Sequence, residues 1–240
     1  MVAEQEFFVG VQDCGAGGLI KNRALLEDMS DTSTLHGILV GETIEKLAER
    51  NLAWVITNWK LEVLKRVKYA STITVRTWSR GHDPVFAYRD FEAADGKGEL
   101  VAKATSVWMI VNTRRNFPQR LTGDLLEAYG TEDRANFPGF RFERFFPDNL
   151  TPRKTTFFTV MKSMIDYNHH VHNSAYLDLA SEALPEDTDE QSVLNVEISF
   201  KKEILPSQRV RLDYAEGEDA KYVFVRSEDG AVLHTVIKLF

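Results

Sequence analysis

Two kinds of periodicity run through the chain. In Ala53 to Leu64 (AWVITNWKLEVL), Ser71 to Arg80 (STITVRTWSR), Val85 to Ala93 (VFAYRDFEA) and Glu99 to Val111 (ELVAKATSVWMIV), β-branched and aromatic residues dominate, which predicts strands. His82-Asp83-Pro84 and Asp95-Gly96-Lys97-Gly98 supply turns between them, so the run reads as an antiparallel meander. Ahead of it, Phe7 to Gln12 predicts a short strand. Apolar positions then recur at helical spacing, at Leu19, Ala24, Leu25 and Met29 and again at Leu39, Ile44, Leu47 and Ala48. They predict one helix over Leu19 to Met29 and a second over about His36 to Arg50.

From Asn112 to Lys154 the character changes. Pro118, Pro138, Pro147 and Pro152 fall in an arginine-rich stretch with one short helical piece, Gly123 to Tyr129, and this predicts a linker packed on the surface. The pattern then restarts with a strand over Thr155 to Ile165, a polar loop, a helix over 173–184 ended by Pro185, and strands near Ser192–Lys202, Gln208–Tyr214, Lys221–Arg226 and Ala231–Leu239. The halves echo each other. Phe7-Phe8 and Asn22 to Glu27 match Phe157-Phe158 and Asn173 to Asp178 at nearly equal separation, and VKYASTITVRT from Val67 matches ILPSQRVRLDY from Ile204. Each half is then an α+β unit in which the concave face of an antiparallel sheet buries one helix.

Composition narrows the function. With 240 residues, 43% of them hydrophobic and 27% charged, the chain can bury a sizeable core. No apolar run approaches the ~20 residues of a membrane span, and MVAEQEFFVG lacks the basic start and apolar core of a signal peptide. The single cysteine, Cys14, permits no internal disulfide, and the expectation is a cytoplasmic protein. A net charge of -7 argues against nucleic-acid binding. The glycines after Asp13 suggest a dinucleotide loop, but G-x-G-x-x-G counted from Gly15 reaches Ile20 where a third glycine is needed, so no cofactor is expected.

The chemistry concentrates in Asp166-Tyr167-Asn168-His169-His170-Val171-His172-Asn173-Ser174, between a predicted strand end and a helix that Asn173 can cap. Three of the six histidines fall here. A helix start leaves backbone N–H groups unpaired at the positive end of the helix dipole, where an oxyanion is stabilised. Asp166, Asn168 and His170 alternate, so an extended backbone would turn all three to one side. It would also hold Asp166 and His170 roughly 13 Å apart at about 3.3 Å per residue, so the segment must curl if they act on one atom. A plain polar loop capping a helix is the competing reading. A metal site is not expected, because adjacent histidines diverge on a strand and no HExxH spacing accompanies them.

Asp166-x-Asn168-x-His170-Val171-x-Asn173-x-x-Tyr176 resembles the D-x-N-x-H-V-N-N-x-x-Y segment of acyl-acyl-carrier-protein thioesterases, in their bacterial, double-hotdog form. Leu52 to Thr57 and Ala104-Thr105-Ser106-x-Trp108 resemble that family's first hotdog unit, so the resemblance spans nearly the whole chain. It implies a tandem double hotdog: a non-catalytic, acyl-binding unit over 1–117, a linker over 118–154 and a catalytic unit over 155–240. It implies hydrolysis of acyl-acyl-carrier-protein to free fatty acid, with a pantetheine-linked acyl chain as substrate. A homodimer is compatible with it. An acyl-coenzyme-A thioesterase and a non-catalytic acyl-binding protein of the same fold are the alternatives.

Two positions depart from the family pattern. His172 stands where the family has asparagine, and Glu203-Ile204 stands where plant members carry Glu-Cys, so a cysteine nucleophile is absent there. The resemblance therefore implies a site of Asp166, Asn168, His170 and Glu203. Glu203 or Asp166 would act as general base on water, Asn168 and the helix amides would orient the thioester or water and hold the oxyanion, and His170 would polarise the site or protonate the leaving thiol. Aligning the halves sets Arg66 opposite Glu203 and glycines opposite the polar cluster, so one productive site is expected per chain. For an acidic carrier, the candidate docking cations are Arg153-Lys154, Lys201-Lys202 and Arg114-Arg115.

Overall fold

A computed structural model describes residues 1–142, 150–186, 188 and 190–240; Pro147 of the predicted linker lies outside them. The first half runs β1 (Val2–Val9), α1 (Asn22–Leu39), α2 (Ile44–Glu49), β2 (Leu52–Val63), β3 (Ser71–His82), β4 (Phe86–Asp95) and β5 (Leu100–Asn112). A two-residue strand β6 (Phe117–Pro118) and α3 (Gly123–Tyr129) follow. The second half runs β7 (Lys154–Thr159), α4 (Ala175–Ala183), β8 (Asn195–Phe200), β9 (Arg209–Glu216), β10 (Lys221–Ser227) and β11 (Leu233–Leu239).

Among the described residues the strands form one antiparallel sheet in the order β1-β3-β4-β5-β2-β8-β11-β10-β9-β7, with β6 added to β5. Read outward from the β2–β8 junction, the two halves repeat the same order. Each half wraps its own helix: α1 packs on β1 and β3, α4 packs on β7 and β9, and the two helices touch each other. One continuous core runs through both, from Leu25, Met29 and Phe91 to Leu179, Leu212 and Val223. At about 1.5–3 kcal/mol for each such side chain fully buried, this core is what closes the sheet over its helices. The result is the tandem double hotdog that the sequence resemblance implies.

Several boundaries differ from the sequence expectation, each for a local reason. α1 does not stop at Met29 but runs to Leu39. Its polar middle is tolerated because Thr32 and Ser33 donate their hydroxyls back to the carbonyls of Asp28 and Ser30, both at 2.7 Å. Thr32 and His36 meanwhile continue the buried stripe. Burial and the Arg89 guanidinium, whose Nη1 donates to His36 Nδ1 at 2.9 Å, pull the His36 pKa down to about 4. In its last turn Gly37 makes room for the Glu42 carbonyl, which a Cβ there would approach to 3.0 Å, and beyond the helix end Gly41 takes a φ of 76°. Leu19 and Ile20 are not helical; Ile20 bridges Cys14 and donates its N–H to the Val67 carbonyl.

The expected strand over Thr155 to Ile165 ends at Thr159, and Lys162–Met164 form a single 3-10 turn that buries Met164. Similarly, the strand expected from Ser192 begins at Asn195, after a 3-10 turn over Glu190–Ser192, and β11 begins at Leu233 rather than Ala231. α3 occupies the predicted range, and its Leu125 and Tyr129 are buried with Leu47 and Ile110 against the first unit.

The pairing registers also correct the repeat. Phe7 pairs with Ile73 and Phe158 with Val210, so Phe7 corresponds to Phe158, not to Phe157. Phe7 and Phe158 pack on the core, whereas Phe8 and Phe157 are exposed. From there the match is regular: Ile20 donates to Val67 as Val171 donates to Ile204.

Candidate functional site

The polar segment curls. The Asp166 N–H donates to the His170 carbonyl at 2.9 Å, the His169 N–H donates to the Asp166 carbonyl at 3.1 Å, and Ile165 and Val171 form a bridge at the base. Asp166 clamps this loop from inside: its Oδ1 accepts the N–H of Asn168 at 2.8 Å and of His170 at 3.2 Å. An aspartate is suited to this, since a short carboxylate can receive its own loop's amides. The turn also needs a left-handed residue, and His169 takes it with φ 62°. The extended arrangement with three side chains on one side is therefore replaced by a closed loop.

Glu203 reaches the loop from a distant part of the chain. The Val171 N–H donates to the Ile204 carbonyl at 3.1 Å, which sets residue 203 beside the curled segment. Its turn is anchored from behind by His234 on β11. The His234 carbonyl accepts the N–H of Lys201 and Lys202, and its ring Nδ1 lies 3.2 Å from the Lys202 carbonyl and 3.1 Å from that of Glu203. Because both partners are carbonyls, Nδ1 carries the proton. His234 is buried, and nothing in the sequence but its alternation on a strand hinted at it.

Tyr176, in the first turn of α4, feels both carboxylates. Its phenol pKa is raised above the usual range, chiefly by burial, with the nearby charges of Glu203 and Asp166 adding to the effect. Asp166 and His170 are half-buried, while Asn168 and Glu203 are exposed. The His170 ring has no hydrogen-bond partner among the described residues. Asn173 does not cap α4: the N-cap is Ser174, and its hydroxyl turns away from the helix to Glu27 of α1, 2.8 Å away.

The first unit repeats the loop with glycines in place of the polar side chains. Gly15 N–H donates to the Leu19 carbonyl and Gly18 N–H to that of Gly15, both at 2.9 Å, and Gly18 takes φ 71° where His169 stands in the second unit. The space is filled from outside by Gln191, whose Nε2 donates to the Leu19 carbonyl at 3.0 Å. A Cβ at Gly15 or Gly17 would come within 2.6 or 2.5 Å of that side chain, so these glycines make room for it. Arg66 occupies the place of Glu203. Its guanidinium donates to the carbonyls of Gln191, Ile20 and Val193 at 2.7–2.8 Å. A cleft lined by Lys21, Arg23, Arg66, Leu177, Leu184 and Val193 lies on this side, and none of the four predicted residues borders it.

Cys14, in this first loop, is buried, and burial followed by the Asp13 charge pushes its thiol up. Both effects disfavour a thiolate. Among the described residues no group of three His, Cys, Asp or Glu side chains is arranged to hold a metal ion, and no helix is long and apolar enough to cross a membrane.

Known proteins share this architecture and this order of segments. The acyl-ACP thioesterase N-terminal domain matches residues 1–129, and the acyl-ACP thioesterase C-terminal domain matches residues 149–238. A palmitoyl-acyl carrier protein thioesterase of Gossypium hirsutum is 24% identical over 196 residues, covering 77% of this chain and 48% of the relative. The chain spans about half the length of the curated relatives it matches. The crystal structure of an acyl-ACP thioesterase from Bacteroides thetaiotaomicron has a TM-score of 0.88 at 21% identity, covering 100% of this chain and 97% of that one. That of a 12:0-ACP thioesterase from Umbellularia californica has a TM-score of 0.84 at 18% identity, covering 99% and 96%. With both family domains matched in sequence along a double hotdog, the chain belongs to the acyl-ACP thioesterase family.

Proposed function

We propose that the chain hydrolyses acyl-acyl-carrier-protein thioesters to a free fatty acid and the carrier thiol. The observation that supports this reading is the closed loop Asp166–His170 at the start of α4 with the backbone of residues 203–204 drawn against it, in a chain of this family. Residues 155–240 carry the chemistry in this reading, residues 1–117 hold the acyl chain, and 118–154 connect them.

Glu203 is the general base. It is exposed, and among the described residues neither oxygen is tied to the backbone, whereas Asp166 spends one oxygen on two loop amides and acts as the clamp. Water attacks the thioester carbonyl carbon as Glu203 takes its proton. The oxyanion is held by Asn168, since the Ala175 and Leu177 amides at the start of α4 are already given to the His172 and Ser174 carbonyls. As the C–S bond breaks, the sulfur leaves as thiolate and takes a proton from His170. A thiol pKa of about 8.5 makes this an easy departure. Direct attack by Glu203 through an anhydride uses the same geometry. The single cysteine, Cys14, supports a cytoplasmic setting for the reaction.

Among the candidate docking cations, Lys201-Lys202 stands directly before Glu203 in the chain, and Arg114-Arg115 is exposed. Arg153 pairs with Glu216 at 2.5 Å, and Lys154 donates to the Leu184 carbonyl at 2.6 Å. The deciding experiment compares turnover of carrier-bound and coenzyme-A-bound chains of the same length. Preference for the carrier, lost on charge reversal at Lys201-Lys202 and weakened by salt, supports the reading. Equal turnover of both substrates, unaffected by the reversal, would favour the acyl-coenzyme-A thioesterase instead.

A further inference from the structure

We propose that Glu27, on the helix of the first unit, is a positioning residue for the thioester site of the second, acting through Ser174 on the His172 ring. The proposal rests on the hydrolase reading above. His172 Nδ1 lies 2.8 Å from Ser174 Oγ, and Ser174 Oγ lies 2.8 Å from Glu27 Oε1. The same Glu27 oxygen receives Arg23 Nε at 3.0 Å. A carboxylate paired with a guanidinium accepts and does not donate, so the single hydroxyl proton of Ser174 points to Glu27. Its oxygen is then an acceptor towards the ring, and His172 Nδ1 must carry a proton. The Ser174 N–H also points at Nδ1, 3.3 Å away, a hydrogen bond that a bare nitrogen would accept. The shorter hydroxyl contact and the fixed direction of its proton decide against that tautomer.

Ser174 is 1% exposed, so no solvent competes for its hydroxyl. The relay therefore settles the ring: Nδ1 is protonated, and Nε2 is left without a hydrogen-bond partner among the described residues. His172 is also the joint between the curled loop and α4. Its N–H donates to the Met164 carbonyl and its carbonyl accepts the Ala175 N–H, both at 2.9 Å. Fixing this residue fixes the loop bearing Asp166 to His170 relative to the helix start.

The arrangement follows from the repeat. Arg23 corresponds to Ser174 and Glu27 to Asp178, so the Arg23–Asp178 pair and the Ser174–Glu27 bond are one contact made from both sides of the helix pair. The first unit has Lys21 at the place of His172, and its Nζ donates to the Gln12 carbonyl. Only the second loop is held from the other unit's helix through a ring. His172 is also where this chain departs from the asparagine of the family pattern.

The test uses the full chain with Glu27→Gln, Ser174→Ala, His172→Asn and the Glu27→Gln/His172→Asn double variant. Displacement of the loop by a fraction of an ångström predicts kcat down about tenfold for Glu27→Gln and Ser174→Ala, on carrier-bound and small thioesters alike, with KM changed less than about twofold. In the His172→Asn background, Glu27→Gln should add nothing further. Nitrogen-15 shifts of His172, assigned by their loss in His172→Asn, should show the neutral ring protonated at Nδ1 in the parent and not in Ser174→Ala. An Nε2-protonated ring in the parent overturns the relay whatever the activity. Unchanged kcat, or additive losses in the double variant, overturns the positioning role. A parent chain that cleaves neither thioester overturns the hydrolase reading and the catalytic role with it, while the tautomer still decides the relay.

Discussion

Lys60 and Glu197 meet at 2.8 Å in the middle of the sheet, at positions that correspond between the two units. They pair directly in the β2–β8 register, and the flanking pairs Asn58–Ser199 and Glu62–Asn195 exchange under the same correspondence. A pseudo-two-fold axis thus passes between them. Two identical chains would set such a position against its own copy, lysine on lysine or glutamate on glutamate. Joining both units in one chain lets the positions differ and pair. Lys60 is further enclosed by the Phe140 and Phe240 rings, at 4.5 and 5.1 Å from its Nζ.

Because both side chains are buried, removing one leaves an uncompensated charge. Glu197→Ala or Lys60→Ala is expected to lower stability by about 3 kcal/mol. The exchange Lys60→Glu/Glu197→Lys should recover part of that loss, whereas Lys60→Glu alone should be worst of all. Urea unfolding with a double-mutant cycle measures the coupling, and additivity of the two single changes would show that the pair is not coupled.

The two carboxylates should separate by their chemistry. Asp166→Asn keeps an acceptor for the Asn168 and His170 amides and should retain turnover within about tenfold, whereas Asp166→Ala should lose about 100-fold or more as the loop loosens. Glu203→Gln should lose as much as Glu203→Ala, since an amide is no base. Steady-state rates on folded protein decide it. Asp166→Asn as inactive as Asp166→Ala, with Glu203→Gln still active, would exchange the two roles.

His234 should act on the reaction only through Glu203. Its ring donates to the turn from behind, so His234→Phe should lower kcat by about tenfold and leave two part-buried carbonyls without their donor, at a cost of about 1 kcal/mol. In a Glu203→Ala background the same change should not slow turnover further.

The first unit should stay silent even when its base is restored. Arg66→Glu would turn a carboxylate towards the carbonyls of Gln191, Ile20 and Val193, which now accept from the guanidinium. Loss of stability by a few kcal/mol is expected, with no second site. Titration with a tight, non-hydrolysable acyl-carrier analogue should count one site per chain in the parent and none gained in the variant.

Asp28 should make stability depend on pH. Burial first, then the charges of Asp13, Asp31 and Glu27, raise its pKa from 3.8 to about 7. The folded state then holds a proton that the unfolded state has released, so stability is greatest below about pH 4 as far as this group is concerned and falls as pH rises towards 7. Asp28→Asn should flatten that slope and stabilise the protein at pH 8 by about 2 kcal/mol, roughly half the full linkage value because the group keeps part of its water. Unfolding midpoints across pH 4 to 8 test the sign; a variant less stable than the parent at pH 8 would reverse it.

Local pattern determined the strands β2 to β5, the short helix over Gly123–Tyr129 and the repeat of one helix with one sheet, because side-chain alternation, turn residues and helical spacing act within a few residues. Asp166, Asn168 and His170 were legible for the same reason, as a polar cluster between an extended stretch and a helix. What tertiary structure alone decided were contacts between distant segments. Phe7 matches Phe158 only once each strand has its partner, since a one-residue slip turns every side chain over. The reach of α1 past Met29 depends on the sheet that buries Thr32 and His36. Glu203 comes to the loop through the Ile204 carbonyl, His234 holds it from another strand, and Ser174 leaves its cap to bind Glu27. Hydrogen bonds across such separations leave no periodic trace in the chain, so the site's supports become visible only after the two units have folded against each other.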